Sequence, residues 1–319
     1  MATASRVLGG SSRTVAEQYR HRVLDAATAL GYSADLSARA MRRDTDVVAL
    51  VTDDLTTYTM GVVIAAMERQ ARQEDAFVSV AATGGVPARQ LATVRTLVAF
   101  RPRALVLTSS RIEATAANRP LVEELREYER RGGRVVIYGS IDLPFDSIRV
   151  DDHGSARQLG LRLAATGHRR PLILAGDPDR AFASGRTAGY LEGLVRGGVR
   201  RRDIRTVDCA VSRQGGFDAV SVAGLAGTDA VLAVNDAVAI GALSACHAAG
   251  VPVPERLSVT GFDDIPLAVD VTPRLTTVAL PHAEIGARAV RLALADRDGP
   301  LVREVVTGRL VERGSTAGR

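Results

Sequence analysis

The stretch Val47-Val48-Ala49-Leu50-Val51 is an unbroken apolar run, the pattern of a strand buried on both faces. Downstream, Met60–Gln73 places its apolar residues at helical spacing, and Phe77–Ala81 is apolar again. A strand, a helix and a second buried strand in succession call for a parallel sheet with a crossover helix. Working outward, Ala104–Leu107, Val135–Tyr138, Leu172–Ala175, Ala230–Val234 and Ser258–Gly261 read as further strands. Helical patterns such as Pro120–Arg131 and Ser155–Ala165 lie between them. The expected fold class is α/β: doubly wound parallel sheets arranged as two lobes, with the break near Asp146–Asp151. In such sheets ligands bind beyond the carboxyl ends of the strands, so the residues just after each strand are the candidates.

A length of 319 residues fits two or three domains. Hydrophobic residues make up 46% and charged residues 24%, values that argue against a largely disordered chain. No apolar run approaches the roughly 18–20 residues of a membrane span. Residues 1–10 hold no apolar core of a secretory signal. Cys209 and Cys246 are the only cysteines, too few for a disulfide framework. The expectation is a cytoplasmic protein with no membrane partner.

The charge is unevenly placed. Every one of the 41 basic residues is arginine. Residues 1–43 hold seven arginines against three acids, which accounts for nearly all of the formal net charge of +5. A compact basic segment on a near-neutral body suits a nucleic-acid reader, although a solvated helix face has the same look. This segment reads as helices and turns. Ala2–Leu8 is a short helical stretch stopped by Gly9-Gly10-Ser11-Ser12. Thr14-Val15-Ala16-Glu17 has capping-box spacing, and Tyr19, Val23, Ala27 and Leu30 then share one helical face before Gly31. Ala34–Arg43 is a further short candidate, too poor in apolar residues to fold without a partner.

Catalysis finds little support. The chain lacks a Gly-x-Gly-x-x-Gly after a strand, a phosphate loop and a Gly-x-Ser-x-Gly elbow. His21, His153, His168, His247 and His282 are scattered, with no metal-ligand spacing. The acid pairs Asp53-Asp54, Asp151-Asp152 and Asp263-Asp264 suit helix starts and turns as well as acid–base work. No enzyme, cofactor or metal is expected. A two-lobed small-molecule binder explains the core but leaves the basic prefix idle. A ligand-controlled DNA-binding protein uses both.

Here the residues resemble a known family. Ala2-Thr3-Ala4-Ser5-Arg6-Val7-Leu8-Gly9 looks like the recognition helix of the lactose-repressor (LacI/GalR-type) family. Arg22-Val23-Leu24, Leu30-Gly31-Tyr32 and Ala38-Arg39-Ala40-Met41 match its third helix and hinge helix. Gly167-His168-Arg169-Arg170, Asn235-Asp236, Gly261-Phe262-Asp263-Asp264-Ile265-Pro266 and Pro273-Arg274-Leu275-Thr276-Thr277-Val278 match core signatures, as does Leu310–Thr316. The resemblance spans essentially the whole chain. It implies a partial helix-turn-helix over 1–33, without the family's first helix, and a hinge helix and linker over 34–45. It further implies a periplasmic-binding-protein-like core with an N-terminal lobe of 46–148 plus 279–302 and a C-terminal lobe of 149–278 plus 303–319. The family's Asn-Pro-Phe-Phe after the first core strand is replaced by Thr57-Tyr58-Thr59-Met60, which reduces the aromatic platform for a ring-shaped ligand.

The function implied is a transcriptional repressor, binding a pseudopalindromic double-stranded DNA operator as a homodimer and controlled by a small polar effector, a sugar or derivative, in the interlobe cleft. The alternative is a cytoplasmic sugar- or small-molecule-binding protein whose partial helix-turn-helix is not competent to bind DNA. By resemblance Met1, Ala2 and Arg6 lie where the family reads the major groove, arginine being suited to guanine. Thr3 and Ser5 would hold phosphates, Arg39 would neutralise backbone charge, and Met41 matches the wedge pushed into the minor groove. In the cleft the pattern carries over to Arg186, Asn235 and Asp263, a set of donors and acceptors for sugar hydroxyls. Tyr58 and Thr59 belong to the altered loop. Tyr58, Phe182 and Phe262 are the candidate stacking faces.

Overall fold

The structure is a computed structural model that describes residues 4, 7, 15–30, 46–108, 119–139, 143–296 and 299–319. Thus Met1, Ala2, Thr3, Ser5, Arg6, Arg39 and Met41, with the whole hinge candidate, lie outside the described residues. Ala4 and Val7 are helical. Helix α1 (Glu17–Ala29) follows, with no buried residue. Its N-cap is Ala16, which makes no side-chain cap bond. The expected capping box is therefore corrected: Glu17 is the first helical residue rather than the third, and pairs one turn on with His21 instead.

The first sheet is six-stranded and parallel. It contains β1 (Val47–Thr52), β2 (Phe77–Ala82), β3 (Ala104–Thr108), β4 (Arg134–Tyr138), β5 (Asp146–Val150) and β11 (Arg303–Val306), in the order β11-β5-β4-β3-β1-β2. The central strands β1, β3 and β4 are apolar over most of their length because both faces of the sheet are covered there. Val48 and Leu50 pack with Val63 and Met67 of α2 (Tyr58–Gln73) and with Ile285 and Val290 of α10 (His282–Leu294). Ala49 and Val51 turn the other way, towards Val94 of α3 (Pro87–Ala99) and Leu121 and Leu125 of α4 (Arg119–Arg130).

The second sheet holds β6 (Pro171–Gly176), β7 (Arg205–Asp208), β8 (Ala230–Ala233) and β9 (Ser258–Thr260), parallel in the order β7-β6-β8-β9. Helices α5 (Asp152–Ala165) and α6 (Ala181–Arg196) pack against each other on one face. Helices α7 (Arg213–Ala223) and α8 (Asp236–Ala248) cover the other. Three of these helices start on a side-chain cap: Asp151, Ser212 and Asn235 accept the backbone N–H of Gly154, Gly215 and Val238 at 2.9–3.0 Å. A short α9 (Leu267–Asp270) lies between β9 and the crossing strand β10 (Thr277–Ala279), which pairs antiparallel with β12 (Arg309–Val311).

Two expectations about the lobes change. The break near Asp146–Asp151 is strand β5, whose alternating Ser147 and Arg149 hid its apolar face. Residues 303–306, assigned to the C-terminal lobe, instead form the edge strand of the first sheet beside β5. That edge carries Arg303 and Glu304, charges that suit an unpaired strand edge and mask its pattern. The chain consequently passes between the sheets three times: from β5 into α5, from β10 into α10, and from β11 into β12. At these crossings Thr260 bridges Thr276 and Asp263 bridges Ala279, and Ser155 Oγ accepts the N–H of Gly308 at 2.8 Å.

Candidate effector cleft

A cavity of about 780 Å³ opens where the strand ends of both sheets face each other. From the first lobe it receives Thr52, Thr108 and Tyr138, the last residues of β1, β3 and β4, and the loop at Thr57–Met60. From the second it receives Asn235, which ends the β8 turn, and Asp263 just past β9. The position follows from the parallel topology, which leaves backbone groups and loops free at the carboxyl ends.

Arg186 is the centre of the floor. Its side chain is only 6% exposed, and Nε donates to Asp152 Oδ1 at 2.7 Å, Nη2 meets Asp263 Oδ1 at 3.0 Å, and Nη1 donates to the Val234 carbonyl at 3.0 Å. The guanidinium also lies 3.8 Å from the centroid of Phe262 and 5.1 Å from that of Phe182, a cation–π arrangement. Burial alone would lower its pKa, but Asp263 and Asp152 outweigh that and hold it above its ordinary value. The arginine is fixed and charged, with further N–H donors available to a ligand. Asp263 sits at φ +103° and Asp264 at +56°, a conformation costly for residues with a side chain. The strained pair is locked by Arg186 on one side and by Arg313, 2.7 Å from Asp264, on the other.

Asp236 is fully buried at the first turn of α8. One carboxyl oxygen accepts the Thr277 hydroxyl at 2.5 Å and the other the Ile265 N–H at 2.8 Å, tying the second lobe to a crossing strand. Burial, then the neighbouring Asp263, push its pKa up to about 7. The folded state binds this proton where the unfolded chain has released it. Asp236 therefore contributes a loss of stability as pH rises from about 4 through about 7. Calorimetric melting at pH 5, 6, 7 and 8 checks this: Asp236→Asn removes that descending component, and a difference between the two proteins that does not change with pH would refute the assignment.

Of the candidates from sequence, Tyr58, Thr59, Phe182, Arg186, Asn235 and Asp263 are brought together at the cleft. Tyr58 is 47% exposed at the start of α2, so it stands at the mouth. Asn235 spends its side-chain oxygen on capping α8, so its amide N–H groups are the donors it can offer towards the cavity. Phe262 is corrected: at 0% exposure beneath Arg186, it braces the guanidinium and presents no face to the cavity. The reading missed Tyr138, Asp152, Asp236 and His282. The acid pairs held the signal for two of the sites, because in each one partner is used locally and the other is set into the cleft or its floor. Asp151 caps α5 while Asp152 grips Arg186; Asp264 meets Arg313 while Asp263 grips Arg186. His168, in a resembling motif, is a packing residue, its ring bonded to the Leu163 carbonyl and to Ser258 Oγ. Among the described residues no group of three or more His, Cys, Asp or Glu could hold a metal, and no helix is long and apolar enough to cross a membrane.

Comparison with known proteins agrees with this architecture. A family profile described as a periplasmic binding protein-like domain matches residues 161–316. The HTH-type transcriptional regulator reg1 of Streptomyces lividans is 33% identical over 340 aligned positions, which cover 99% of this chain and 93% of that protein. A solved transcriptional regulator CelR–cellobiose complex superposes with a TM-score of 0.74 at 26% identity, covering 98% of this chain and 94% of that one. The lac repressor dimer bound to operator and the anti-inducer ONPF superposes with a TM-score of 0.84 at 22% identity, covering 99% and 95%.

Proposed function

Because the chain belongs to the lactose-repressor family of transcriptional regulators, we propose that it is a ligand-responsive repressor, binding a pseudopalindromic operator as a homodimer and releasing or tightening its grip when a sugar enters the interlobe cleft. The observation that carries this reading is the setting of Arg186. One guanidinium is bonded to Asp152, at the crossing from β5 to α5, and to Asp263, which bridges to β10 at a second crossing. A ligand that engages Arg186 acts at the points about which the lobes move. Two lobe arrangements with different ligand affinity are enough to couple the cleft to DNA. A coupling of about 1–3 kcal/mol changes operator affinity roughly 5–150-fold.

On the DNA side, Met1, Ala2 and Arg6 read the major groove, Thr3, Ser5 and Arg39 hold the backbone, and Met41 wedges into the minor groove. Two-fold symmetry of the dimer matches two half-sites. Fluorescence anisotropy on operator and on random duplex tests the assignment. Met41→Ala weakens operator binding about tenfold or more and random-sequence binding little, because only the specific complex depends on the kink. Equal loss on both duplexes would remove the wedge from the mechanism, and operator affinity indifferent to every sugar would remove the effector.

A further inference from the structure

The amino ends of the second sheet form a basic pole. The parallel registers align them: Pro171 of β6 pairs with Ala230 of β8, Leu172 of β6 with Arg205 of β7, and Ala230 with Ser258 of β9. The four loops leading into these strands therefore lie side by side. Residues 166–170, 197–204, 224–229 and 249–257, with Arg205 at the start of β7, hold seven arginines against three acids, Asp203, Asp229 and Glu255. Arg169 and Arg170 precede β6, Arg200, Arg201 and Arg202 precede β7, and Arg256 precedes β9; all seven arginines are exposed. Every residue of the four loops is described. Arg319, bonded to the Glu255 and Pro254 carbonyls, brings both a guanidinium and a terminal carboxylate, which leaves the balance unchanged.

Local structure explains part of this cluster. Arg169 Nη1 donates to the Ala164 carbonyl at 2.7 Å, in the last turn of α5, and Arg205 Nη1 to the Gly224 carbonyl at 3.1 Å, just past α7. Arg256 Nη1 donates to the Thr228 carbonyl at 2.6 Å, and Arg200 meets Asp203 at 2.6 Å. A helix C-terminus favours a nearby cation, so these positions need no ligand. Asp229 is turned onto the backbone N–H groups of Arg169 and Arg170. Arg170, Arg201 and Arg202 are different: among the described residues their guanidiniums meet no carboxylate and cap no carbonyl. Arg201 and Arg202 share one short turn, Arg201–Asp203, beside the strand that Arg170 introduces. Three exposed guanidiniums gathered in this way repel one another and attract anions, and their planar forks match phosphate oxygens.

We propose that this pole is a sequence-independent site for duplex DNA, held through its phosphates by Arg170, Arg201 and Arg202. The choice of DNA among polyanions rests on the reading of the chain as a DNA-bound regulator. The two sheets turn their carboxyl ends towards each other across the cleft, and the basic prefix enters the first sheet at Val47, its amino end. The amino end of the second sheet is therefore the far end of the molecule from that entry, and a duplex held there is a second one. The four loops contain no Phe, Tyr or Trp to stack on an unpaired base, so the contact is with backbone and carries no sequence preference. A chain seated on one DNA segment thereby holds another.

Fluorescence anisotropy of the full chain with a labelled random-sequence duplex, across a series of salt concentrations, tests this. The triple variant Arg170→Gln, Arg201→Gln, Arg202→Gln removes three phosphate contacts per chain. The slope of log affinity against log salt becomes shallower by roughly 2–3, and affinity at low salt falls about tenfold or more. The melting temperature stays unchanged, since no bond within the protein is lost. Energy transfer between donor- and acceptor-labelled duplexes appears on mixing with the parent and not with the triple variant. The control, Arg126→Gln, Arg149→Gln, Arg309→Gln, removes the same charge at exposed positions elsewhere and keeps the parent slope. Equal losses in the two triples would assign the effect to net charge and overturn the site. A pole variant that binds duplex as the parent does, or still transfers energy, overturns it while leaving the regulator reading intact; a parent with no affinity for duplex overturns both. Loss of poly-glutamate binding with duplex binding kept would make the surface one for an acidic protein and overturn the assignment to DNA.

Discussion

Replacing Arg186 by alanine abolishes effector binding and destabilises the protein by about 3–5 kcal/mol. The residue is the shared partner of two buried carboxylates, so its removal leaves Asp152 and Asp263 close together, desolvated and alike in charge. The Val234 carbonyl loses its donor, and Phe262 loses the cation stacked on it. Asp263, held at positive φ, is released from one of the contacts that keep it there. Lysine does not rescue the site, because a single ammonium cannot meet two carboxylates and a carbonyl in one plane. The triple change Arg186→Met, Asp152→Asn, Asp263→Asn regains most of the stability, since no buried charge is then unpaired, yet it does not regain binding. Thermal melting and calorimetry with a sugar that binds the parent protein separate the two effects. Unchanged affinity in Arg186→Ala would take the residue out of the site.

Gly189→Leu is expected to have an effect of similar size for a different reason. Helices α5 and α6 touch backbone to backbone. A Cβ at Gly189 would overlap the carbonyl oxygen of His153 and lie 2.9 Å from Ala156 Cβ, and one at Gly193 would overlap the carbonyl oxygen of Arg157. The reciprocal position, Gly160, faces the Tyr190 carbonyl at 2.7 Å. Backbone cannot swing aside as a flexible side chain does, so the helices must separate. That exposes Leu159, Tyr190 and Leu194, all buried beneath the contact. A loss of about 3 kcal/mol or more and a fall in melting temperature of roughly 5 °C or more follow. Gly61→Ala in α2 is the control. Nothing lies within 4 Å of its added Cβ, and alanine is the better helix former by about 1 kcal/mol. Melting that drops equally in both variants would mean that helix close-packing is not the cause.

The legible part of this molecule is the part where one physical signal acts alone. Strands β1, β3, β6 and β8 are apolar from end to end because both their faces are covered, and the pattern needs no context to be read. Strands β5, β7, β11 and β12 were not read, because Asp-Ser-Ile-Arg-Val, Arg-Thr-Val-Asp, Arg-Glu-Val-Val and Arg-Leu-Val mix charges into short edge or crossing segments. Their pairing is decided by residues far away in sequence. The cleft divides likewise. Asn235 and Asp263 follow strands and lie in quoted motifs, so position and chemistry agree, whereas Arg186, inside α6, is carried by the family pattern alone. Asp152 was visible only as half of an Asp-Asp pair that equally suits a cap, and Asp151 does cap α5. His282 gave no signal, because the lack of hydrogen-bond partners for its buried ring is a property of the folded surroundings. Phe262 misled: an aromatic beside a cleft carboxylate looks like a stacking face until the ring proves to lie underneath.

The edge strand β11 has a consequence for how the molecule is made. Arg303 pairs with Ser147, and Val302 donates to Asp146 across a separation of 156 residues. The whole second sheet is synthesised between the two halves of that pairing. Long-range pairings of this kind close slowly, since the entropy of a large loop is lost before any contact compensates it. The first lobe, begun at Val47, therefore keeps an open β5 edge on a growing chain until the second lobe has emerged. Neither lobe is a contiguous module that a single cut could free. A chain interrupted anywhere between them leaves an exposed strand edge, a ready template for pairing with other chains, and is a substrate for chaperones and proteases rather than half a regulator.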